Sequence, residues 1–479
     1  MGKNETSSNE HEHAVGKGTD EFADVDDYVP GTDEEKKLVR KIDSYLLPLM
    51  WVLYLLSYMD RTNIGNAKIA GMDKDLNLDS GRYSIALVVF FIGYVLFEVP
   101  SNMVLTRLRP SVWLPSIMGA WGAVTIGMGF IPNYASLVAL RASVGILEAG
   151  YAPGMLLLLS SWYKPEEQSK RFAVYISAAI LSGAFGGLLA GSITSGLHMA
   201  HGIAGWRWLF IVEGAATIGA AGVAFFLLPD LPETKSSKFT EEERALAVRR
   251  MKSLERAMRR EEEPVLGHWA AFKLAMINRN TWLFVVGYMV SRRPNITLRH
   301  LAIVGSSTLS YFYPTLVNGL GYTSTAAQYM TIPIFGVAFV CTAITGYFAD
   351  QHSKWRGLII GAWMSVAMIC SIVICVVYNF TARYALLVIM ASGLWASNGL
   401  SLSYASVSFK DMPTEVRSIS LAFVNAMGNL AQIYGAYLFP SSDAPKYLMG
   451  FGVISGLCFT GVASYIALHV LLRKKISQQ

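Results

Sequence analysis

Residues 281–310 read TWLFVVGYMVSRRPNITLRHLAIVGSSTLS. An apolar run begins, gives way to SRRPNITLRH at 291–300, and resumes. Whether this is one membrane span or two sets the number of spans and the side on which the C-terminal half lies. The polar decapeptide does not belong in lipid. Arg292, Arg293 and Arg299 would together cost about 7–10 kcal/mol at mid-helix, and Pro294 breaks the backbone ladder. Its flanks, WLFVVGYM and VGSSTLSYFYPTLV, joined directly make one span of ordinary length.

Apolar stretches of similar length recur along the chain. They lie near 45–65, 83–105, 112–131, 136–160, 172–196 and 208–228. After a polar stretch at 230–280 come the broken run 282–318, then 329–349, 358–378, 384–407, 418–438 and 448–471. With the broken run counted once, the pattern predicts twelve transmembrane helices, six on each side of a central loop.

Charge tests that count, because Lys and Arg collect in cytoplasmic connections. With the N-terminus inside, Arg107, Arg109, Lys164, Lys170, Arg171, the central loop, Lys354, Arg356, Lys410, Arg417 and Arg473 to Lys475 all fall on the inner side. The 131–135 and 319–328 links have no Lys or Arg. A thirteenth span would turn the later basic sites outward. The prediction is therefore an all-α integral membrane protein with both termini cytoplasmic. Its expected parts are an acidic tail (1–43), an N-terminal bundle (44–229), a central loop (230–280), a C-terminal bundle (281–472) and a short tail (473–479).

Composition agrees. The 479 residues are 53% hydrophobic and only 15% charged, with a mean hydropathy of +0.38. The net charge of +6 is read as cytoplasmic basic loops facing a bilayer rather than as a nucleic-acid surface. The four cysteines sit in apolar runs without metal-binding spacing, so neither a disulfide framework nor a metal is expected. GxxxxGK[ST], HExxH, CxxC and GxSxG are absent from the sequence, which argues against ATP-driven pumping and against an enzyme. No cofactor is expected, and a monomer is. In the central loop, Thr240 and Glu243 predict a capping box opening a charged helix, read as a cytosolic connector or a regulatory partner site.

Ionisable groups inside spans are costly and point to function. The first span carries Asp60 and Arg61, adjacent and so about 100° apart around a helix. The fourth carries Arg141 and Glu148, two turns apart on one face. Gly145, Ala149 and Gly150 leave that helix a small surface for close contact, and Pro153 is placed to bend it. Asp60 and Arg61 read either as a carboxylate and a guanidinium facing a central cavity or as a snorkelling pair at the helix end, and Arg141 with Glu148 either as a functional pair or as a static pair holding helices together. Glu148 is the strongest proton-site candidate. Tyr94 and Glu98 share a face in the second span. Glu213 is expected to anchor neighbouring loops, Trp206 and Trp208 to mark the membrane interface, and His198 and His201 to be solvated. The C-terminal half offers amides instead: Asn398 with Ser401, and Asn425 with Asn429. Tyr311 and Phe312 are candidate cavity residues. Charge in one half and amides in the other suit a small-anion site between two bundles.

At these residues the chain resembles a known family. Its six-plus-six pattern and GYFADQHSKWRG at 346–357 resemble the major facilitator superfamily. The segment places Asp350, Lys354 and Arg356 as that superfamily's cytoplasmic gate, with Asp350 accepting from a helix N-terminus. The matching link in the first half, SNMVLTRLRPSVWL, lacks the Asp but keeps Arg107 and Arg109. YMDRTNIGNAKI, LFEVPSN, RASVGILEAGYAP and WRWLFIVEG resemble the anion:cation symporter family, and most its fungal allantoate-permease branch, over roughly residues 40–475. The resemblance implies proton-coupled uptake of small carboxylates across the plasma membrane. It assigns proton coupling to Asp60 and Glu148 and substrate contact to Arg61, Tyr58 and Tyr94, with Arg141 modulating Glu148. Ala179 stands where sugar-acid relatives carry a Gln, which favours a flatter, less hydroxylated anion. Nicotinate or a similar aromatic acid is the expected substrate. An importer of another allantoate-, pantothenate- or biotin-like anion, an exporter of an anionic metabolite and a nutrient receptor signalling through the central loop are the alternatives. Val290-Ser291 is encodable by GTAAGT, the usual start of a fungal intron, so 290–303 is read as a translated retained intron or an outward-looping insertion.

Overall fold

A computed structural model of the chain describes residues 28–105, 108–234, 238–258, 268–278, 281–282, 307–352, 355–408, 416, 420, 428–430 and 432–476. Fifteen principal helices carry the described fold. In order they are α1 (Asp33–Ala67), α2 (Ser80–Leu105), α3 (Pro110–Met128), α4 (Tyr134–Glu148), α5 (Tyr151–Trp162), α6 (Pro165–Gly196) and α7 (Gly205–Leu227). Then come α8 (Glu241–Met258), α9 (His268–Ile277), α10 (Leu309–Asn318), α11 (Ser324–Tyr329), α12 (Thr331–Gln351), α13 (Arg356–Val376), α14 (Phe380–Ser408) and α15 (Leu448–Ile476).

Local chemistry sets many of the boundaries. The Thr32 hydroxyl accepts the Glu35 amide at 3.2 Å, and Asp33, Glu34 and Glu35 fill the positive end of the α1 dipole. Asn133 caps α4 by accepting the Ser136 amide at 3.0 Å. Pro165 opens α6, where a missing amide costs nothing. The expected capping box of α8 is present: Glu243 N donates to Thr240 Oγ1 at 3.2 Å and Thr240 N to the Glu243 carboxylate at 2.9 Å.

Among the described residues, ten helical stretches are long and apolar enough to cross a membrane. They correspond to the expected first six spans and to the eighth, ninth, tenth and twelfth. The decapeptide SRRPNITLRH and residues 290–303 lie outside the described residues, as does most of the expected eleventh span. The fourth span runs over Tyr134–Trp162 with one irregular turn at Ala149–Gly150, between α4 and α5, where both residues keep helical torsions. Pro153 has no N–H to give the Ala149 carbonyl, so the irregularity lies where a proline bend is expected. A Cβ on Gly150 would lie 1.8 Å from Ser101 Oγ, and one on Gly145 2.2 Å from the Phe90 carbonyl. The small residues thus let α4 and α5 press onto the backbone of α2.

Helices pair within each half of the chain: α3 with α7, α2 with α4, and α1 with α6 in the first, and α13 with α14 and α15 in the second. The halves meet along α6 against α11 and α12, and α1 against α10. The polar contacts between them gather at the end that carries the α1–α2 and α10–α11 links. Ser84 Oγ donates to the Ala436 carbonyl at 2.7 Å, Gln328 Nε2 to the Asn66 carbonyl at 3.2 Å, and Thr194 Oγ1 to Gln328 Oε1 at 2.9 Å.

At the opposite end the N-terminal segment and α8 are tied to the first half. Glu35, ahead of the apolar part of α1, accepts Tyr28 Oη at 2.7 Å, the Gly31 amide at 2.7 Å and Lys164 Nζ at 2.8 Å. Arg250 of α8 is fully buried, 3.2 Å from Glu35 and 2.5 Å from Glu167. Burial alone pushes the Glu35 carboxyl up, but Lys164, Tyr28 and the Gly31 amide outweigh it and bring it down to about 2.

Candidate functional site

Adjacent positions on α1 send Asp60 and Arg61 to different neighbours, as their angular separation requires. Arg61 Nη2 meets Glu148 Oε1 of α4 at 2.7 Å, and Ser57 Oγ donates to the same oxygen at 2.7 Å. The guanidinium also lies over the rings of Tyr58, Tyr94 and Phe90, with centroids at 4.8, 5.1 and 5.3 Å. Such faces attract a cation, more strongly once water is excluded. On the other side of α1, Asp60 Oδ2 accepts Thr217 Oγ1 at 2.7 Å and Trp121 Nε1 at 3.1 Å.

Arg141 is fully buried. It does not pair with Glu148, two turns along its own helix, whose Oε1 is held by Arg61. Arg141 instead lies over the Phe90 ring at 4.9 Å and reaches the Arg61 carbonyl at 3.5 Å. Several polar atoms here have no hydrogen-bond partner among the described residues: Arg61 Nε, Arg141 Nε and Nη1, Glu148 Oε2, Asp60 Oδ1, both Asn63 amide atoms, and the Tyr151 and Tyr175 hydroxyls. Buried polar groups are ordinarily satisfied, so this concentration distinguishes the region from ordinary helix packing. Stacked rings bound it: Tyr54 on Tyr175 at 4.0 Å, and Trp121 edge-on to Tyr151 at 5.0 Å.

The second half contributes Tyr311 of α10. Its ring meets Phe91 edge-on at 6.0 Å and its carbonyl accepts Tyr83 Oη at 3.2 Å. Asn398 is half-buried on α14, while Asn425 lies outside the described residues. The structure therefore brings together Tyr58, Asp60, Arg61, Tyr94, Arg141, Glu148 and Tyr311. Sequence reasoning missed Ser57, Phe90, Trp121, Tyr151, Tyr175 and Thr217. Only the four-residue spacing of Ser57 and Arg61 carried a usable signal.

In the GYFADQHSKWRG segment, Asp350 pairs with the Arg356 guanidinium at 3.0 Å, where the resemblance had suggested a helix N-terminus as its partner. Arg356 Nε also donates to the Ala349 carbonyl at 3.2 Å. In the first half a helix N-terminus is held from elsewhere, as Asp230, past the end of α7, accepts the Ser111 amide at 3.0 Å. Arg109 is exposed at the start of α3, and Lys354 and Arg107 lie outside the described residues.

One expectation changes, that for Glu213. Trp206, in the first turn of α7, is buried against the protein and donates to Asp75 at 2.7 Å. His198 is exposed, as expected, and its Nδ1 accepts the Gly205 amide at 3.3 Å. Glu213 anchors no loop: it is buried, and neither carboxyl oxygen has a partner among the described residues.

The family model described as Major Facilitator Superfamily matches residues 50–436. The chain is 35% identical over 445 residues to "MFS transporter prlL" of a fungal species (strain NRRL 50135), covering 91% of this chain and 86% of that one. It is 30% identical over 434 residues to the "High-affinity nicotinic acid transporter" of Saccharomyces cerevisiae, covering 89% of this chain and 76% of that one. Among solved structures, the xylose transporter XylE from E. coli, in a partially occluded inward-open conformation, superposes with a TM-score of 0.65 at 14% identity, covering 88% of this chain and 97% of that one. A bacterial homologue of the lysosomal transporter Spinster, inward-facing, gives 0.63 at 17% identity, covering 89% and 95%.

Proposed function

The chain belongs to the major facilitator superfamily and is a membrane transporter, not an enzyme; from that premise we propose that it is a proton symporter importing a small aromatic carboxylate, nicotinate or a close analogue. The observation that carries this is the Arg61–Glu148 pair at 2.7 Å inside a ring of aromatic faces, beside Arg141 donors that no described protein atom uses.

The coupling follows from competition. A substrate carboxylate approaching Arg61 takes the guanidinium from Glu148. A buried carboxylate that loses its counter-charge is expensive unless it gains a proton. Anion and proton therefore enter the site together. Arg141 Nη1 and Nε are available to the same carboxylate, and Tyr58, Phe90 and Tyr94 offer faces to a flat ring. Asp60 is the second proton-coupling carboxyl. Asn398, Asn425 and Tyr311 are assigned to the closing half.

The basic end, with Lys164, Arg171 and Arg250, is assigned to the cytoplasm, which leaves both termini there and the chain in the plasma membrane. The end where the halves touch is then external, and this conformation opens inward. Asp350, Lys354, Arg356, Arg107 and Arg109 gate the inner side, between bundles assigned to 44–229 and 281–472. The nicotinic acid transporter among the relatives supports the substrate class.

The test is uptake of a panel of labelled carboxylates by permease-deficient yeast at pH 5 and pH 7. Nicotinate or a flat aromatic acid should accumulate, and more at pH 5. Failure of every carboxylate to accumulate, or export of preloaded nicotinate instead, would remove the reading.

A further inference from the structure

Glu213 stands one turn before Thr217 on α7, so the two share a face. Thr217 donates to Asp60 Oδ2 at 2.7 Å, which sets that face against α1. Glu213 is 3% exposed and both its carboxyl oxygens lack a partner among the described residues, as does Asp60 Oδ1. Through that Thr217 bond, Asp60 lies against the face of α7 that carries Glu213.

Among the described residues, no cation stands in to explain the burial. The helix packed most closely on α7 is α3, which has no ionisable side chain from Pro110 to Met128. From Ser177 to Gly196, α6 has none either. Arg207 on α7 itself is committed to the carbonyls of Gly129 and Ile131 at 3.1 and 2.9 Å. Lys68, on the π-helical segment after α1, sits over the Tyr83 ring at 4.2 Å. Arg61, next to Asp60 on α1, is held by Glu148. An unpaired carboxylate in such surroundings costs several kcal/mol, and a second anion beside it adds repulsion. A carboxyl kept there without donors is suited to holding a proton.

We propose that Glu213 is a further proton carrier of the transport cycle, exchanging its proton with Asp60. In the transfer the Glu213 O–H bond breaks and an O–H bond forms on Asp60 Oδ1. Glu213 becomes the carboxylate and Asp60 the acid, and nothing is oxidised or reduced. This rests on the symport reading above. It adds that the cycle carries a proton on α1 and α7 besides the one that substrate binding places on Glu148.

The experiment uses the full chain in proteoliposomes with labelled nicotinate. Steady-state accumulation is measured against the imposed pH gradient, and exchange is measured without one. The wild type should accumulate nicotinate along a slope set by its proton number. Glu213→Gln should lose one proton from that slope, lowering accumulation about tenfold for each pH unit of gradient, and Glu213→Asp should restore it. Infrared difference spectra on a pH jump should lose one carboxylic-acid band in the Gln variant, a readout that does not need transport. A wild-type slope and an unchanged acid band in Glu213→Gln would overturn the proposal while leaving symport standing. A wild type with no slope at all would overturn both.

Discussion

Arg61 of α1 and Glu148 of α4 meet at 2.7 Å with side chains 8% and 2% exposed. A pair so far from water is strong only while both partners are present. Removing one strands the other, at about 3–5 kcal/mol. Glu148→Gln keeps a hydrogen-bonding group beside Arg61 and Ser57 but cannot cycle a proton. It should abolish pH-driven accumulation while retaining reduced exchange, measured as uptake into nicotinate-loaded vesicles. Arg61→Ala should abolish both, since it removes the anion's partner. Intact pH-driven accumulation in Glu148→Gln would remove Glu148 from the coupling.

The aromatic faces around Arg61 predict selectivity for flat acids. Tyr94→Leu removes a ring 5.1 Å from the guanidinium. Losing one such contact is worth about 0.5–1.5 kcal/mol, so KM for nicotinate should rise about 2- to 10-fold. An aliphatic carboxylate that competes for uptake should be affected less. Equal losses for flat and aliphatic acids would assign Tyr94 to packing alone.

Contact between the halves depends on one bare helix face. A Cβ on Gly187 of α6 would stand 2.1 Å from Thr331 Oγ1 and 2.6 Å from the Gln328 carbonyl. A backbone oxygen at that distance cannot step aside as a flexible side chain would. Gly187→Ala should therefore hold the halves apart at that end. A cysteine at Ser84, which now bonds across to Ala436, should then react faster with an impermeant maleimide added outside, and transport should fall. Unchanged labelling would mean that this contact does not close the external side.

Much of this was legible in the sequence, and the reasons differ between fold and site. Apolar length is a property of each segment, so most of the spans could be read with boundaries near those observed. The irregular turn between α4 and α5 was legible in Pro153, but the close fit of Gly150 on Ser101 was not, because it depends on another helix. Asp60, Arg61, Arg141 and Glu148 stood out because charge in lipid is rare. Their pairing did not, because spacing along α4 joined Arg141 to Glu148 while the packing of α1 gave Glu148 to Arg61. Trp121 and Thr217 could not have been picked out, since an indole or a hydroxyl in an apolar run is ordinary until an acid faces it. Glu213 was visible as a charge but not as one without a partner.

The Glu35 network predicts a docking of α8 that is insensitive to mild acid. Its carboxyl lies at about 2, below the ordinary 4.5. The stability it contributes is therefore fully present above about pH 4.5 and is lost only as the pH falls toward 2. Trypsin cleavage within α8 should be slow and equal at pH 7.5 and pH 5.5, after correction for the enzyme's own activity. Arg250→Ala should speed it at both. A wild type that loosens between those two pH values would contradict the role given to Glu35.

The most direct test of the central claim is nicotinate accumulation by the purified chain in proteoliposomes under an imposed pH gradient, acid outside. Symport predicts accumulation above the external concentration that a protonophore collapses and that Glu148→Gln lacks. Equilibration to the external concentration alone, whatever the gradient, would contradict it.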